Sequence, residues 1–218
     1  MTGININYDA AGNLLNDGGA PTPTVATYNA ENQIVTVSGP SGTGSYAYDG
    51  EGRRMKKTVG SETTYYFYGP GGLLCEFSTS NTISTATAAS SADKTLYHTT
   101  DKLGSAVLII NSNGVVIENN RMLPYGEAWQ AESTPSTNDK KFTTYQRDQE
   151  SGLDYAMNRY YANTAGRFNS PDKGALNLSV PTSLNRYSYV GLDPINHSDR
   201  VEMKSQRRNA SRWDSYPS

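Results

Sequence analysis

Few side chains in this sequence have the chemistry of metal binding or nucleophilic catalysis. The chain of 218 residues holds one cysteine, Cys75, and two histidines, His98 and His197. A single thiol excludes an internal disulfide and a thiolate metal cage, and two histidines alone cannot fill a zinc site. His98 lies three residues before Asp101, which would allow acid–base work, although a lone histidine beside a turn is far more often structural. We therefore expect no metal and no cofactor.

Composition excludes further classes of function. The 19 basic residues against 21 acidic ones leave a net charge of −2, so no strong field attracts nucleic acid or an acidic membrane. The longest apolar run, residues 106–110, is far shorter than a membrane span. The N-terminus lacks the basic and apolar regions of a signal peptide, so we expect any export to use a route without a cleaved signal peptide or to occur as part of a larger parent protein.

Tyrosine and glycine dominate a chain that is poor in aliphatic residues. Hydrophobic residues make up 35% of the sequence, which holds 16 Tyr and 20 Gly. This composition predicts thin layers packed through tyrosine rather than a thick aliphatic core.

A repeat of 20 residues organises the N-terminal part. Four segments, beginning at Tyr8, Tyr28, Tyr48 and Tyr68, align without gaps. The second position is Asp, Asn, Asp or Gly, the fifth is Gly or Asn, and the seventh is apolar in three of the four. An Asp or Asn side chain accepts hydrogen bonds from N–H groups two residues on, and Gly or Asn tolerates positive φ. With β-branched and aromatic residues on both sides, the pattern predicts one β-hairpin per repeat, its tyrosines packing across strands rather than acting in catalysis.

The period ends after Leu74, and the following small polar residues, 78–95, predict a linker. Strand-like patterns resume at residues 96–98, 106–110 and 115–117, with a turn at residues 111–114. Cys75 follows two leucines and is expected to be a small buried hydrophobic residue.

The repeat resembles the YD repeat of the Rhs (rearrangement hotspot) and teneurin families. The segments after it are similar, in family order, to the Rhs-associated core, so that the resemblance covers residues 1–199. The matching segments are Leu96 to Ser105, Leu123 to Glu127, Phe142 to Tyr155, Asn158 to Tyr161, Gly166 to Asp172, Ser183 to Gly191 and Asp193 to Asn196.

This resemblance implies an all-β fold in which β-hairpins spiral into a hollow shell and the core region plugs one end. Four repeats are too few to enclose a cavity, so the chain is expected to be a β-shell fragment with its end-plug, from a longer parent. The division follows as YD repeats at 1–77, a linker at 78–95, the Rhs-associated core at 96–199, and a disordered tail or extension at 200–218.

The function implied by the resemblance is that of a non-catalytic scaffold. In bacterial members of the family the shell encloses a C-terminal toxin, so the expected partners are the rest of the parent and that effector, in a secreted or cell-surface setting. The exposed sheet edges of so few repeats also predict self-association. An alternative is a carbohydrate-binding surface built on the tyrosine-rich faces. Nucleic-acid binding is not expected, although the tail at 200–218 has a local charge of +3.

A further alternative implied by the resemblance is self-cleavage of aspartyl type, which needs two nearby carboxylates, one protonated and one ionised. Asp172 and Asp199 match aspartates of the family motif, and Arg167 is the expected charge partner of Asp172. The aligned scissile bond follows Met203 and would release only a short peptide. The family's proline after each aspartate is missing here, and turn formation explains these residues equally well. We therefore expect a scaffold without enzymatic activity.

A third candidate carboxylate for that reaction is Asp193. It opens the segment Asp-Pro-Ile-Asn, which is an ordinary turn former.

Overall fold

The fold is almost entirely β-structure. The computed structural model describes residues 5–69, 72–79, 96–129, 138–174, 178–197 and 199. Within them, fifteen strands form three antiparallel sheets, and three short 3-10 turns accompany them. The all-β prediction is confirmed. Most of the predicted linker, the tail at 200–218 and Met203 lie outside the described residues.

The repeats form one eight-stranded sheet in which each strand is hydrogen-bonded to the next in chain order. Two strands per repeat agree with the predicted hairpins. The strands are β1 (Asn7–Tyr8), β2 (Leu14–Asn16), β3 (Val25–Tyr28), β4 (Ile34–Gly39), β5 (Gly42–Tyr48), β6 (Arg54–Val59), β7 (Glu62–Gly69) and β8 (Gly72–Ser78).

The turns within the repeats have the geometry that their residue types predict. Oδ1 of Asp49 accepts hydrogen bonds from the N–H groups of Glu51 and Arg53, at 2.9 Å each. Asp9 and Asn29 make the same pair of bonds in their own repeats. All four fifth-position residues have positive φ: Gly12 (+86°), Asn32 (+60°), Gly52 (+86°) and Gly72 (+116°). The turn therefore depends on local sequence alone.

The first-position tyrosines link consecutive repeats. In three repeats the hydroxyl donates to the main-chain carbonyl of the seventh residue of the preceding repeat, 14 positions back in the chain. These bonds join Tyr28 to Leu14 (3.0 Å), Tyr48 to Ile34 (2.6 Å) and Tyr68 to Arg54 (3.1 Å). The period of the sequence is thus also the period of a tyrosine ladder.

Removing one bond of this ladder should have a measurable cost. We expect Tyr28→Phe, which removes only the bond to Leu14, to lower the free energy of unfolding by about 1 kcal/mol, the net contribution of a typical hydrogen bond. Tyr8→Phe is the matched control, because the hydroxyl of Tyr8 makes no hydrogen bond within the described part of the chain; its expected effect is below about 0.5 kcal/mol. Urea unfolding followed by circular dichroism compares them, and equal losses would contradict the ladder.

The core region forms two smaller sheets. A three-stranded sheet has the order β11-β10-β9, and a four-stranded sheet, named here the core sheet, has the order β12-β13-β14-β15. The strands are β9 (Leu96–Thr100), β10 (Ala106–Asn111), β11 (Val116–Asn119), β12 (Gln146–Asp148), β13 (Leu153–Tyr155), β14 (Tyr160–Ala162) and β15 (Arg167–Phe168). The 3-10 turns are Phe142–Thr144, Pro181–Leu184 and Val190–Leu192.

The expected burial of Cys75 is wrong, because its thiol is exposed. Side chains alternate between the two faces along a strand, and Cys75 pairs across β7 and β8 with Phe67, which is itself 49% exposed. The preceding leucines therefore do not report on the face that Cys75 occupies.

Two hydrophobic clusters explain the tyrosine-rich composition. The first joins the repeat sheet to the core sheet, through Ala26, Ile34, Val37 and Tyr46 from the repeats and Leu153, Tyr155 and Tyr160 from the core. The second lies within the core region and is mostly aromatic, with Phe142, Tyr145, Ala156, Tyr161, Phe168 and Tyr189. The repeats and the core region therefore share the first of these two clusters.

A glycine on β4 permits the close approach of the core. A Cβ atom on Gly39 would lie 2.7 Å from the main-chain oxygen of Glu150 and 2.7 Å from Cα of Ser151. Since neither backbone atom can move aside without shifting the core, we expect Gly39→Ala to destabilise the protein by about 1–3 kcal/mol. Gly50→Ala is the control, because a Cβ there meets nothing within 4 Å. Thermal unfolding of the two variants tests this, and a stable Gly39→Ala protein would show that the contact is not close.

Candidate functional site

Two of the predicted site residues converge on one arginine. Oδ2 of Asp172 and Oδ2 of Asp199 each lie 3.6 Å from Nη2 of Arg159. The two carboxylate oxygens are therefore within about 7 Å of each other, twice that distance, which is close enough for their charges to interact. The fold thus brings together two aspartates that are 27 positions apart in the chain.

The loop after β15 positions Asp172. Its N–H donates to the carbonyl of Arg186 at 2.8 Å, and its Oδ1 accepts the N–H of Gly174 at 2.8 Å. Asp199 is held through its carbonyl, which accepts a hydrogen bond from the hydroxyl of Tyr145 at 3.4 Å. Main-chain contacts therefore place both carboxylates, and each side chain stays partly open to solvent.

Arg159 precedes β14 and is held from two sides. Its Cζ lies 3.6 Å from the centroid of the Phe168 ring, and its Nη1 donates to the carbonyl of Arg186 at 3.4 Å. Burial lowers the pKa of Arg159, and the charges of Asp172 and Asp199 partly oppose that effect. Arg159 therefore lies between the two carboxylates and contacts both.

The other two predicted residues, Arg167 and Asp193, make contacts of other kinds. Arg167, the expected partner of Asp172, lies with its Cζ 4.7 Å from the ring centroid of Tyr187, while the ion pair of Asp172 is made with Arg159. Asp193 accepts hydrogen bonds from the main chain and side chain of Asn196, which lower its pKa, as a turn-forming aspartate does.

The sequence of the motif that contains Arg159 does not by itself indicate a charge partner. The one signal is an arginine within the segment from Asn158 to Tyr161, next to aromatic residues that form the core. Arg167 is nearer to Asp172 in the chain, yet Asp172 pairs with Arg159. Proximity in sequence does not predict which side of a strand a guanidinium reaches.

A second charged cluster, named here the Arg54 network, is buried between the repeat sheet and the core sheet. Nη1 of Arg54, the first residue of β6, lies 2.5 Å from Oδ2 of Asp148 on β12, and both side chains are 1% exposed. Lys57, also on β6, lies 2.7 Å from the other oxygen of Asp148 and 2.9 Å from Glu150. Two cations of one repeat strand therefore hold two carboxylates of the core.

Tyrosines enclose the guanidinium of Arg54. Its Cζ lies 4.3 Å from the ring centroid of Tyr155, 5.0 Å from that of Tyr66 and 5.2 Å from that of Tyr46. Burial alone would lower the pKa of Arg54, but the carboxylate of Asp148 and the surrounding tyrosines raise it well above its usual value. The cation is thus kept charged in a site without water contact. Arg54 is the exception among the seventh-position residues of the repeat, and its type alone indicates neither its burial nor its partner.

The described residues carry no group of three or more His, Cys, Asp or Glu side chains that could hold a metal ion. Among the same residues, no helix is long and apolar enough to cross a membrane.

The chain is similar in sequence to two nucleases of the genus Bacillus. It is 29% identical over 213 residues to the tRNA nuclease WapA of Bacillus subtilis strain 168, and 28% identical over 212 residues to the tRNA3(Ser)-specific nuclease WapA of Bacillus spizizenii. Each match covers 89% of this chain and 9% of the relative. The chain therefore spans about a tenth of the length of these relatives. No protein-family model matches it.

The fold is shared with solved toxin structures. The Photorhabdus luminescens Tc holotoxin pore matches with a TM-score of 0.64 at 18% identity, over 94% of this chain and 11% of that one. The TcdB2–TccC3 structure matches with a TM-score of 0.65 at 22% identity, over 88% of this chain and 11% of that one. The antiparallel all-β architecture expected from the Rhs resemblance is therefore an observed one.

Proposed function

We propose that this chain is a wall segment and end-plug of an Rhs-type shell, acting as a scaffold for a C-terminal effector of a longer, secreted or cell-surface parent protein. The sequence similarity to WapA, the fold shared with Tc toxin structures and the YD repeats all support this assignment. In this proposal the repeats end near residue 77, and the core begins near residue 96.

The observation that carries the proposal is the packing of the core sheet against the repeat sheet. Their common hydrophobic cluster holds Val37 at 1% exposure and Tyr160 at 4%. The Arg54 network adds a buried ionic contact to this surface. A core that closes over one face of the repeats, rather than standing apart from them, is what an end-plug requires.

The scaffold role is tested by exchange. The matching segment of the Bacillus subtilis WapA is replaced by residues 1–199 of this chain, and tRNA cleavage and resistance to trypsin are measured. A scaffold should leave both close to those of the parent, while the same chimera carrying Arg54→Leu should lose its protease resistance. If the isolated chain itself cleaves tRNA, the scaffold proposal is wrong.

A second candidate function, self-cleavage, is favoured by the pair of aspartates at Arg159. With one carboxyl protonated and the other ionised, water would be activated to attack a main-chain carbonyl, and the amide bond after Met203 would be hydrolysed to a carboxylate and an amine. Their common contact with Arg159 brings the two carboxylates to one place, which is the proximity that such a reaction requires.

Intact mass after incubation at neutral and mildly acidic pH tests this candidate. Self-cleavage predicts loss of the peptide after Met203, its abolition by Asp172→Asn, and its retention in the control Asp193→Asn. A full-length mass that stays constant under all these conditions would exclude it.

A further inference from the structure

We propose that Arg54 selects the hairpin on which the core sheet docks. Each repeat offers a similar docking position, named here a seat, and Arg54 ensures that only one seat is used. Such a role is recognition within the chain. It goes beyond the scaffold function, because it would hold whatever effector the parent carries.

The need for selection comes from the repeat itself. Hairpins with the same turns, the same tyrosine ladder and the same strand pattern offer the core sheet similar surfaces at steps of 20 residues. Arg54 occupies the seventh position of its repeat, where the other three repeats carry Leu14, Ile34 and Leu74. An apolar core on apolar hairpins has little energetic reason to prefer one step over the next.

The charge of Asp148 makes these docking positions unequal in energy. The carboxylate of Asp148 is 1% exposed and is paired with Arg54 at 2.5 Å. If the core docked one repeat away, the same carboxylate would face Ile34 or Leu74. A buried carboxylate without a cation is strongly unfavourable, so the wrong seats are penalised more than the right seat is favoured.

Lys57 follows the same rule as Arg54. It contacts both Asp148 and Glu150, whereas the corresponding residues of the other repeats are Asp17, Val37 and Phe77. The two basic residues that meet the core carboxylates therefore both belong to the third repeat. Their clustering on β6 marks the seat in a way that no other hairpin copies.

Two glycines, one on β4 and one on β5, provide a steric counterpart to the charge of Arg54. A Cβ on Gly44 would lie 2.8 Å from Oε1 of Glu150, and Gly39 admits the main chain of the same turn. One repeat further along, the corresponding residues are Val59 and Thr64. The space for Glu150 and the cation for Asp148 are thus adjacent features of a single docking site, and an experiment has to separate them.

The double variant Arg54→Leu, Asp148→Leu removes the ion pair and keeps the glycines that make room for Glu150. A buried ion pair replaced by apolar residues often preserves stability, so the variant can fold while losing the selectivity of the pair. A zero-length carbodiimide cross-link between Lys57 and Glu150, whose charged atoms lie 2.9 Å apart, reports the native seat in the full chain. We expect the cross-link to fall below about half of its original yield, as docking is shared among seats, and the amide resonances of the core sheet to appear in more than one set. An unchanged yield with one set of resonances would show that docking at this hairpin does not depend on Arg54, and would overturn the proposal.

Two further variants keep the test decisive. Arg53→Leu removes the neighbouring arginine, which pairs with Asp49 on the surface, and should leave the cross-link unchanged. If the double leucine variant fails to fold, Arg54→Lys is compared with Arg54→Leu in the same cross-linking assay. Selection by charge predicts that Arg54→Lys keeps most of the cross-link that Arg54→Leu loses, and equal losses would refute it.

Discussion

Replacing Arg54 with leucine is expected to lower the free energy of unfolding by about 3–5 kcal/mol, because it leaves Asp148 as a buried carboxylate that has lost its closest cation. The side chain of Asp148 is 1% exposed, and Lys57 alone remains to pair with it. The variant also removes the guanidinium from the rings of Tyr155 and Tyr66. Urea unfolding followed by circular dichroism measures the loss.

The adjacent arginine is a control matched in type and in position along the chain. Arg53 pairs with Asp49 at 2.7 Å, but its side chain is 28% exposed, and surface pairs of this kind contribute less than about 1 kcal/mol. Arg53→Leu should therefore unfold close to the original protein. Similar losses from Arg53→Leu and Arg54→Leu would show that the ionic contact between the sheets is unimportant for stability.

Truncation of Tyr161 is the other substitution with a large expected effect. This residue is 0% exposed and lies among aromatic rings, with centroid distances of 5.0 Å to Tyr189 and 5.4 Å to Phe168. We expect Tyr161→Ala to cost about 3–5 kcal/mol, because a large aromatic side chain leaves a cavity that a β-sheet cannot close by collapse. Thermal unfolding and the near-ultraviolet circular dichroism of the tyrosines both report the change.

A graded pair of variants separates packing from hydrogen bonding at this site. Tyr161→Phe keeps the ring and removes only the hydroxyl, which donates to the carbonyl of Tyr125 at 2.9 Å, so its expected cost is about 1 kcal/mol. Tyr97, which is 55% exposed, is the surface control, and Tyr97→Ala should change stability by less than about 0.5 kcal/mol. A Tyr161→Ala protein as stable as Tyr97→Ala would mean that the aromatic cluster does not hold the core together.

Both sites concern the part of the molecule that a scaffold needs most. The Arg54 network joins the core sheet to the repeats, and the aromatic cluster around Tyr161 keeps the core region itself in shape. Under the proposed function, loss of either should release the end-plug from the shell wall. Stability and closure are therefore coupled in the proposed function.

Local features of this protein could be predicted from sequence because their causes are local. The turn at Asp49 needs a side-chain acceptor followed by a residue with positive φ, and both lie within five positions of the repeat. The alternating strands beside it, and hence the all-β architecture, follow from the same short segments. The resemblance to the Rhs family predicts the same all-β architecture, because it depends on the same motifs.

Features that depend on how the sheets pack could not be read in the same way. Asp172 and Asp199 both contact Arg159, whereas the sequence predicted Arg167 as the partner of Asp172. The direction of a guanidinium depends on which face of β14 or β15 it leaves, and on the ring that it stacks against. Contacts with distant parts of the chain therefore decide which carboxylate each guanidinium reaches.

The sequence by itself determined the repeat, the turns and the strand-rich architecture, since hydrogen bonds and φ preferences within 20 residues dictate them. Only the tertiary structure decided that the exceptional arginine of the third repeat is a buried ion-pair partner of Asp148, 94 positions away. It also decided that Cys75 faces outward. Burial is a property of the assembled sheets, and the free energy of a charge or a thiol depends on burial far more than on its neighbours in the chain.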